Sequence, residues 1–295
     1  MGRALAAQHA VVRDTFAEAD EALGESLSQL CFEGPEDRLV LTENTQPAIL
    51  TTSVAIYRLL VERGWAPDFY AGHSLGEYSA HVAAGTLSFA DAVRIVRHRG
   101  RYMQEAVPVG TGSMAAILGL DAEAVAAACE EAAQGECVAP ANLNAPGQVV
   151  IAGATAAVER AGVAAKARGA RRVIPLAVSA PFHCALMKPA AERLAPELRA
   201  LVTGTPRKPI VANVDAELKR DGAAAIDALI RQVSGAVRWE DVVRRLASEG
   251  VRTYVEVGPG TVLTGLVRKI DREARTYAVE DDKGVQALDE AFARR

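Results

Sequence analysis

Cysteine is scarce in this sequence and is not arranged for binding. The four cysteines, Cys31, Cys129, Cys137 and Cys184, are scattered without a C-x-x-C pair, which argues against a disulfide framework and a zinc site. Reduced thiols in a cytoplasm are the expectation, with no metal centre. Long apolar runs are missing too: no stretch comes near the roughly 20 residues of a membrane span. The opening residues, Met1 to Ala6, lack the apolar core of a signal peptide. Ala6 stands where a myristoylation motif needs serine or threonine. Nor is there a surplus of positive charge. Lys and Arg number 33 against 37 Asp and Glu, a formal net charge of -4, which argues against a nucleic-acid surface.

What is present fits a soluble α/β protein. Hydrophobic residues make up 50% and charged residues 24% of the chain, the balance of an ordinary globular protein. The 295 residues amount to two domain lengths of about 150 each. Aromatics are only 5%, and short β-branched runs alternate with alanine-rich helical stretches. The pattern predicts helices over Arg3 to Leu23 and Pro47 to Arg63, then a strand at Asp68 to Ala71. An abrupt turn follows into a helix over Leu75 to Ala84, ended by Gly85. Ser88 and Asp91 form a capping box for a helix running to about Ala106.

From Ser113 the order becomes β-α-β-β-α-β, the split ferredoxin-like unit. Its strands are expected at Met114 to Leu120, Cys137 to Asn144, Gln148 to Ala152 and Arg172 to Val178, with helices over Asp121 to Ala133 and Thr155 to Arg168. The turns Pro108-Val109-Gly110 and Pro181 are the expected joints. They divide the chain into a large domain of 1–109 and 181–295 and an inserted domain of 110–180. Beyond Pro181 come a helix around Ala190 to Val202, a strand at Pro209 to Asn213, and helices over Ala223 to Val233 and Trp239 to Ser248. A strand at Thr253 to Val257 and a last helix after Gly260 complete the chain.

Gly72-His73-Ser74-Leu75-Gly76 fits G-x-S-x-G between a strand and a helix, where the motif has mechanical meaning. The tight turn presents the serine hydroxyl, and the amide of Leu75 points toward any anion forming beside Ser74. A chance match on a turn is the competing reading, and the strand-turn-helix context weighs against it. A serine nucleophile needs a base. Of the five histidines, His9, His73, His81 and His98 read as solvated or structural. His183 lies just past a strand end in a proline-stiffened loop, where α/β sites gather. An ordinary loop histidine is the alternative. Arg99 stands alone: Arg94, Arg97 and Arg101 cluster within about 60° of the helix, while Arg99 falls on the opposite, apolar side. A cation placed there must meet an anion, either a structural carboxylate or a substrate carboxylate held bidentately.

At AGHSLGEYSA (71–80) the sequence resembles the malonyl-CoA:acyl carrier protein transacylases. The resemblance continues through NTQPA (44–48), MQEAVP (103–108), NLNAPGQVVIAG (142–153), the His183 loop with CALMKPA (184–190), and EVGPG (256–260). It implies an α/β-hydrolase-like domain carrying a ferredoxin-like insert. By position it implies that Ser74 is the acylated nucleophile, His183 its base and Leu75 an oxyanion donor. Arg99 would grip the malonyl carboxylate. The backbone carbonyl of Gln232 would orient His183, so the site is a Ser-His dyad. Met103, Asn142 and Asn144 would line the substrate cleft. The family begins with a strand and a Gly-Gln-Gly-Ser-Gln loop whose glutamine amide completes the oxyanion hole. This sequence starts beyond that loop, so Met1 is expected to correspond to an internal methionine.

The implied activity is ping-pong transfer of malonyl from malonyl-CoA to the phosphopantetheine thiol of an acyl carrier protein, by a cytoplasmic monomer without a cofactor. The rivals are a polyketide-type acyltransferase, a serine esterase or thioesterase, and an inactive homologue that only binds CoA or carrier protein. The esterase would need an acidic triad member and leaves Arg99 unexplained.

Overall fold

A computed structural model describes residues 1–108 and 110–293. Its helices begin with α1 Arg3–Gln8, α2 Ala10–Leu23, α3 Leu27–Glu33, α4 Glu36–Leu39, α5 Thr42–Glu62, α6 Leu75–Ala84 and α7 Phe89–Glu105. They continue with α8 Ala122–Ala133, α9 Thr155–Ala167, α10 Lys188–Ala200, α11 Gly222–Ser234, α12 Trp239–Ser248, α13 Val262–Ile270 and α14 Asp282–Ala293. The strands are β1 Gly112–Leu118, β2 Val138–Ala145, β3 Gln148–Ala154, β4 Arg172–Pro175, β5 Ile210–Val211, β6 Leu218–Lys219, β7 Thr253–Val257 and β8 Arg275–Val279.

The strands β1 to β4 form one antiparallel sheet in the order β2-β3-β1-β4. Alternation sends Ile117, Val149 and Ile151 to the face covered by α8 and α9, where they meet Val125, Cys129 and Val158. Met114, Val150 and Ala152 point the other way and pack with Cys184 and Phe182, beside His183. The small unit is thereby seated on the loop that carries the candidate base. The Val109 position, where the sequence sets the first boundary, lies outside the described residues.

The large unit is built on α5. Leu50, Val54 and Ile56 pack with Val12 and Phe16 of α2 and with Val93 and Val96 of α7 in one core. The side chain of Ser88 accepts from the Asp91 amide and caps α7 as the sequence predicts. Gly100 lets α7 close on the start of α5, since a Cβ there would lie 2.6 Å from the Thr42 carbonyl oxygen. Arg99 is thereby brought in against Gln46.

Several expectations need correction. The first helix breaks at His9, whose backbone is extended (φ -117, ψ 121). The break redirects the chain so that Leu5, Val12 and Phe16 are all buried despite their drifting stripe. The helix expected from Pro47 starts at Thr42 and carries Pro47 in its interior. The strand expected at Asp68 to Ala71 is a single parallel bridge from Tyr70 to Ile210. A cleft of about 1600 Å³, lined by Tyr70 and Ala71 and by Val255 and Val257 of β7, borders this segment. The strand expected at Pro209 to Asn213 shortens to β5, because Asn213 leaves the extended run to bond across the Ser74 turn. The strand expected through Val178 ends at Pro175, where proline has no N–H to extend the ladder. Beyond α13 the sequence reading missed β8 and α14; β8 exists through its parallel pairing with β7.

Candidate active site

The turn before α6 is tight enough to forbid a side chain at its entry. A Cβ on Gly72 would lie 2.0 Å from the backbone of Gly76, so only glycine fits there. Ser74 sits at φ 50, ψ -106, a strained conformation that lifts its hydroxyl off the turn. Asn213 holds this shape: its Oδ1 accepts from the Ser74 amide at 2.6 Å and its Nδ2 donates to the Gly72 carbonyl at 2.7 Å. The Leu75 amide begins α6 and donates to no acceptor among the described residues. It is free for an oxyanion, with the helix dipole behind it.

His183 reaches this turn from the loop after β4. Its Nε2 lies 2.7 Å from Ser74 Oγ, and its Nδ1 lies 3.0 Å from the Gln232 carbonyl oxygen. A carbonyl only accepts, so Nδ1 carries the proton and Nε2 is the acceptor for the serine hydroxyl. The backbone of His183 is also left-handed, at φ 60, a strain consistent with a fixed ring orientation. Burial, and then the nearby positive charge of Arg99, push its pKa down to about 3. The ring is therefore neutral at rest and able to take a proton.

Arg99 is 2% exposed. Its Nη1 donates to Gln46 Oε1 at 2.6 Å, and its Nη2 donates to Gln232 Oε1 at 3.0 Å and Ser74 Oγ at 3.1 Å. Its Nε has no partner, and among the described residues no carboxylate lies within ion-pairing distance. Of the two anions the sequence allows, the structural carboxylate is thus not in place. The helix face is read correctly: Arg94 and Arg101 are exposed, and Arg97 pairs with Glu25 at the surface.

The remaining candidates gather at the same cleft, which Met103, Asn142 and Asn144 all line. Met103 is buried, its Sδ accepting from Gln46 Nε2. His73 is structural, its Nε2 bonding Asn144 Oδ1 at 2.8 Å and its ring tilted against Trp239. Asn142 bridges to Val237 in parallel. These contacts tie β2 to the nucleophile turn. His9 bonds Asp282 and His98 bonds Glu197, as surface histidines do. His81 is fully buried, and neither ring nitrogen has a hydrogen-bond partner. Sequence reasoning missed Gln46, Glu77 and Asn213 as site residues. Gln46 stood inside the NTQPA run, but its partners are known only once α7 is docked.

The acyl transferase domain family matches residues 1–284 of this chain. The chain belongs to that family. The malonyl CoA-acyl carrier protein transacylase of Escherichia coli is 56% identical over 284 residues, spanning 96% of this chain and 92% of that protein. A crystal structure of an acyl carrier protein S-malonyltransferase from Vibrio cholerae superposes with a TM-score of 0.96 at 51% identity, covering 98% of this chain and 94% of that one. A malonyl-transacylase solved with a holo type II polyketide synthase acyl-carrier protein gives the same TM-score of 0.96, identity of 51% and coverage of 98% and 94%.

The state of His183 gives a pH dependence that tests it as the base of this acyl transferase. A base acts when neutral, and the folded pKa of His183 lies far below the ordinary 6.5. The acylation rate should therefore hold level as pH falls through 6.5, and decline only toward the depressed value. A single-turnover pH profile of serine acylation checks this. An inflection near 6.5 would mean that His183 is solvated in the working enzyme.

Proposed function

We infer that this chain transfers the malonyl group of malonyl-CoA to the phosphopantetheine thiol of an acyl carrier protein, supplying fatty-acid synthesis. The observation that carries the reading is Arg99: a buried cation with no ion-paired carboxylate among the described residues, 3.1 Å from the Ser74 hydroxyl. A thioester whose acyl group ends in a carboxylate completes that site.

Ser74 Oγ attacks the thioester carbonyl carbon while His183 Nε2 takes its proton. The tetrahedral oxyanion is met by the Leu75 amide. On collapse the C–S bond breaks, and the CoA thiolate leaves with the proton from His183. In the second half the carrier-protein thiol gives its proton to His183 and attacks malonyl-Ser74. The serine oxygen then recovers that proton. The Gln232 carbonyl holds the imidazole in the required tautomer throughout. Met103, Asn142 and Asn144 are assigned to the walls of the acyl and thioester subsite. The division of the chain near residues 110 and 180 belongs to this reading, as does its action as a cytoplasmic monomer without a resident cofactor. Ser74, His183, Arg99 and Gln232 all come from one chain, and no helix among the described residues is long and apolar enough to cross a membrane.

Brief exposure to malonyl-CoA should raise the intact protein mass by one malonyl group, and adding holo acyl carrier protein should remove it. A protein that hydrolyses malonyl-CoA without holding the adduct would be a thioesterase. A protein with no adduct and no turnover would be a binding homologue. Comparing fatty-acid and polyketide carrier proteins as acceptors separates the two pathways.

A further inference from the structure

The mechanism leaves one fully buried carboxyl unused. Glu77 lies on α6 three residues beyond Ser74 and has no exposed surface. Its Oε2 accepts two hydrogen bonds, from Gln232 Nε2 at 2.7 Å and from the Asn213 amide at 3.0 Å. Those two residues are the ones on which the site is hung. Gln232 receives His183 Nδ1 on its backbone oxygen and Arg99 Nη2 on its side-chain oxygen, and its Nε2 also donates to the Ser74 carbonyl at 2.9 Å. Asn213 spans the turn from Gly72 to Ser74. One oxygen thus joins α6, α11 and Asn213, the second residue after β5.

We propose that Glu77 is a positioning residue for acyl transfer, holding Gln232 and Asn213 so that Arg99 and His183 are aimed at Ser74. A primary amide offers donors at one end and an acceptor at the other, and it fits a symmetrical slot either way round. The slot around Gln232 is not symmetrical. The guanidinium of Arg99 only donates, and Glu77 Oε2 accepts. The amide must therefore turn its oxygen to Arg99, and Arg99 Nη2 is fixed between Gln232 and Ser74. Without the acceptor at position 77, Gln232 Nε2 keeps only the Ser74 carbonyl, and the Asn213 amide loses its partner.

The role does not require negative charge. Burial pushes the Glu77 carboxyl up to about 7, against the pull of its two hydrogen bonds and of Arg99. Its Oε1 has no hydrogen-bond partner and faces His81 Nε2 at 4.0 Å. A proton on Oε1 leaves Oε2 free to accept both bonds. A glutamine at this position reproduces that state: its oxygen takes the place of Oε2, and its amide nitrogen faces the imidazole of His81.

The inference rests on the malonyl-transfer reading, which the wild-type protein tests separately in the same assay by forming the malonyl adduct. Single-turnover acylation of Ser74 is measured with malonyl-CoA and with acetyl-CoA for E77A, E77D and E77Q, counting only folded protein from melting curves. E77A should lose malonyl acylation by about 10- to 100-fold, the scale of a small misplacement at a reacting centre. Its preference for malonyl over acetyl should fall as well, because Arg99 is no longer aimed. E77Q should stay within about threefold of wild type on both measures. If E77A does not fold, E77D decides, since it keeps the charge but draws the oxygen back by one methylene; it too must lose the preference. Wild-type rate and preference in folded E77A or E77D overturn the proposal, and so does E77Q as impaired as E77A. A merely structural Glu77 would lower the melting temperature and leave the preference of the folded molecules untouched.

Discussion

Replacing Ser74 by alanine should abolish the malonyl adduct and leave a protein that still melts cooperatively. The hydroxyl is the only group at the turn positioned for attack, 2.7 Å from a neutral imidazole nitrogen. Its loss leaves the Asn213 clamp and the Gly72 turn intact. His183 Nε2 and Arg99 Nη2 each lose a partner, but Arg99 retains Gln46 and Gln232. The stability cost is that of an unsatisfied neutral acceptor, about 1–3 kcal/mol. His183→Ala should slow acylation by about 10²–10⁴, the contribution of a positioned general base. The His183 and Ser74 losses should not add, because the pair acts as a unit. Intact-mass measurement on each variant reads both effects. A malonyl group found on another residue of S74A would refute the nucleophile assignment.

Arg99→Ala should convert a malonyl-selective enzyme into one that is slow with malonyl and nearly indifferent to its carboxylate. Removing one member of a buried charge pair costs about 2–5 kcal/mol, equivalent to roughly 30- to 5000-fold in malonyl transfer. Acetyl-CoA has no carboxylate to pair, so its rate should change far less, and the ratio of the two rates carries the prediction. R99A also leaves the side-chain oxygens of Gln46 and Gln232 without a donor, so its melting temperature should fall. For that reason rates are compared per folded molecule. An unchanged malonyl-over-acetyl preference would make Arg99 structural.

The residues assigned to the acyl group were legible because local rules govern them. Glycines 72 and 85 bracket α6, and the helix runs Leu75–Ala84 as the sequence predicts. Arg99 was found by helical periodicity alone, since an arginine among alanine, isoleucine, valine and methionine conflicts with its own face. His183 announced itself through its loop. The residues that hold these in place were not legible. Gln46, Glu77, Asn213 and the side chain of Gln232 are ordinary polar residues in sequence. Their meaning comes from partners 53 to 158 positions away, which only packing brings together. The break at His9 and the late pairing of β8 with β7 were hidden for the same reason, as neither carries a glycine or proline to mark it.

The carbonyl behind His183 has a consequence for what the malonyl ester survives. A carboxylate in that position would hold a full negative charge against the imidazolium, whereas a peptide oxygen brings only a dipole. Burial and the charge of Arg99 pull the imidazole down further than that dipole can lift it, so it is a feeble base. Feebleness costs less toward a thiol, whose pKa near 8.5 is about seven units below the 15.7 of bulk water. The entering thiol surrenders its proton to such a base far more easily than water does. Water is therefore disfavoured as the second nucleophile, and the acyl group waits for the carrier thiol.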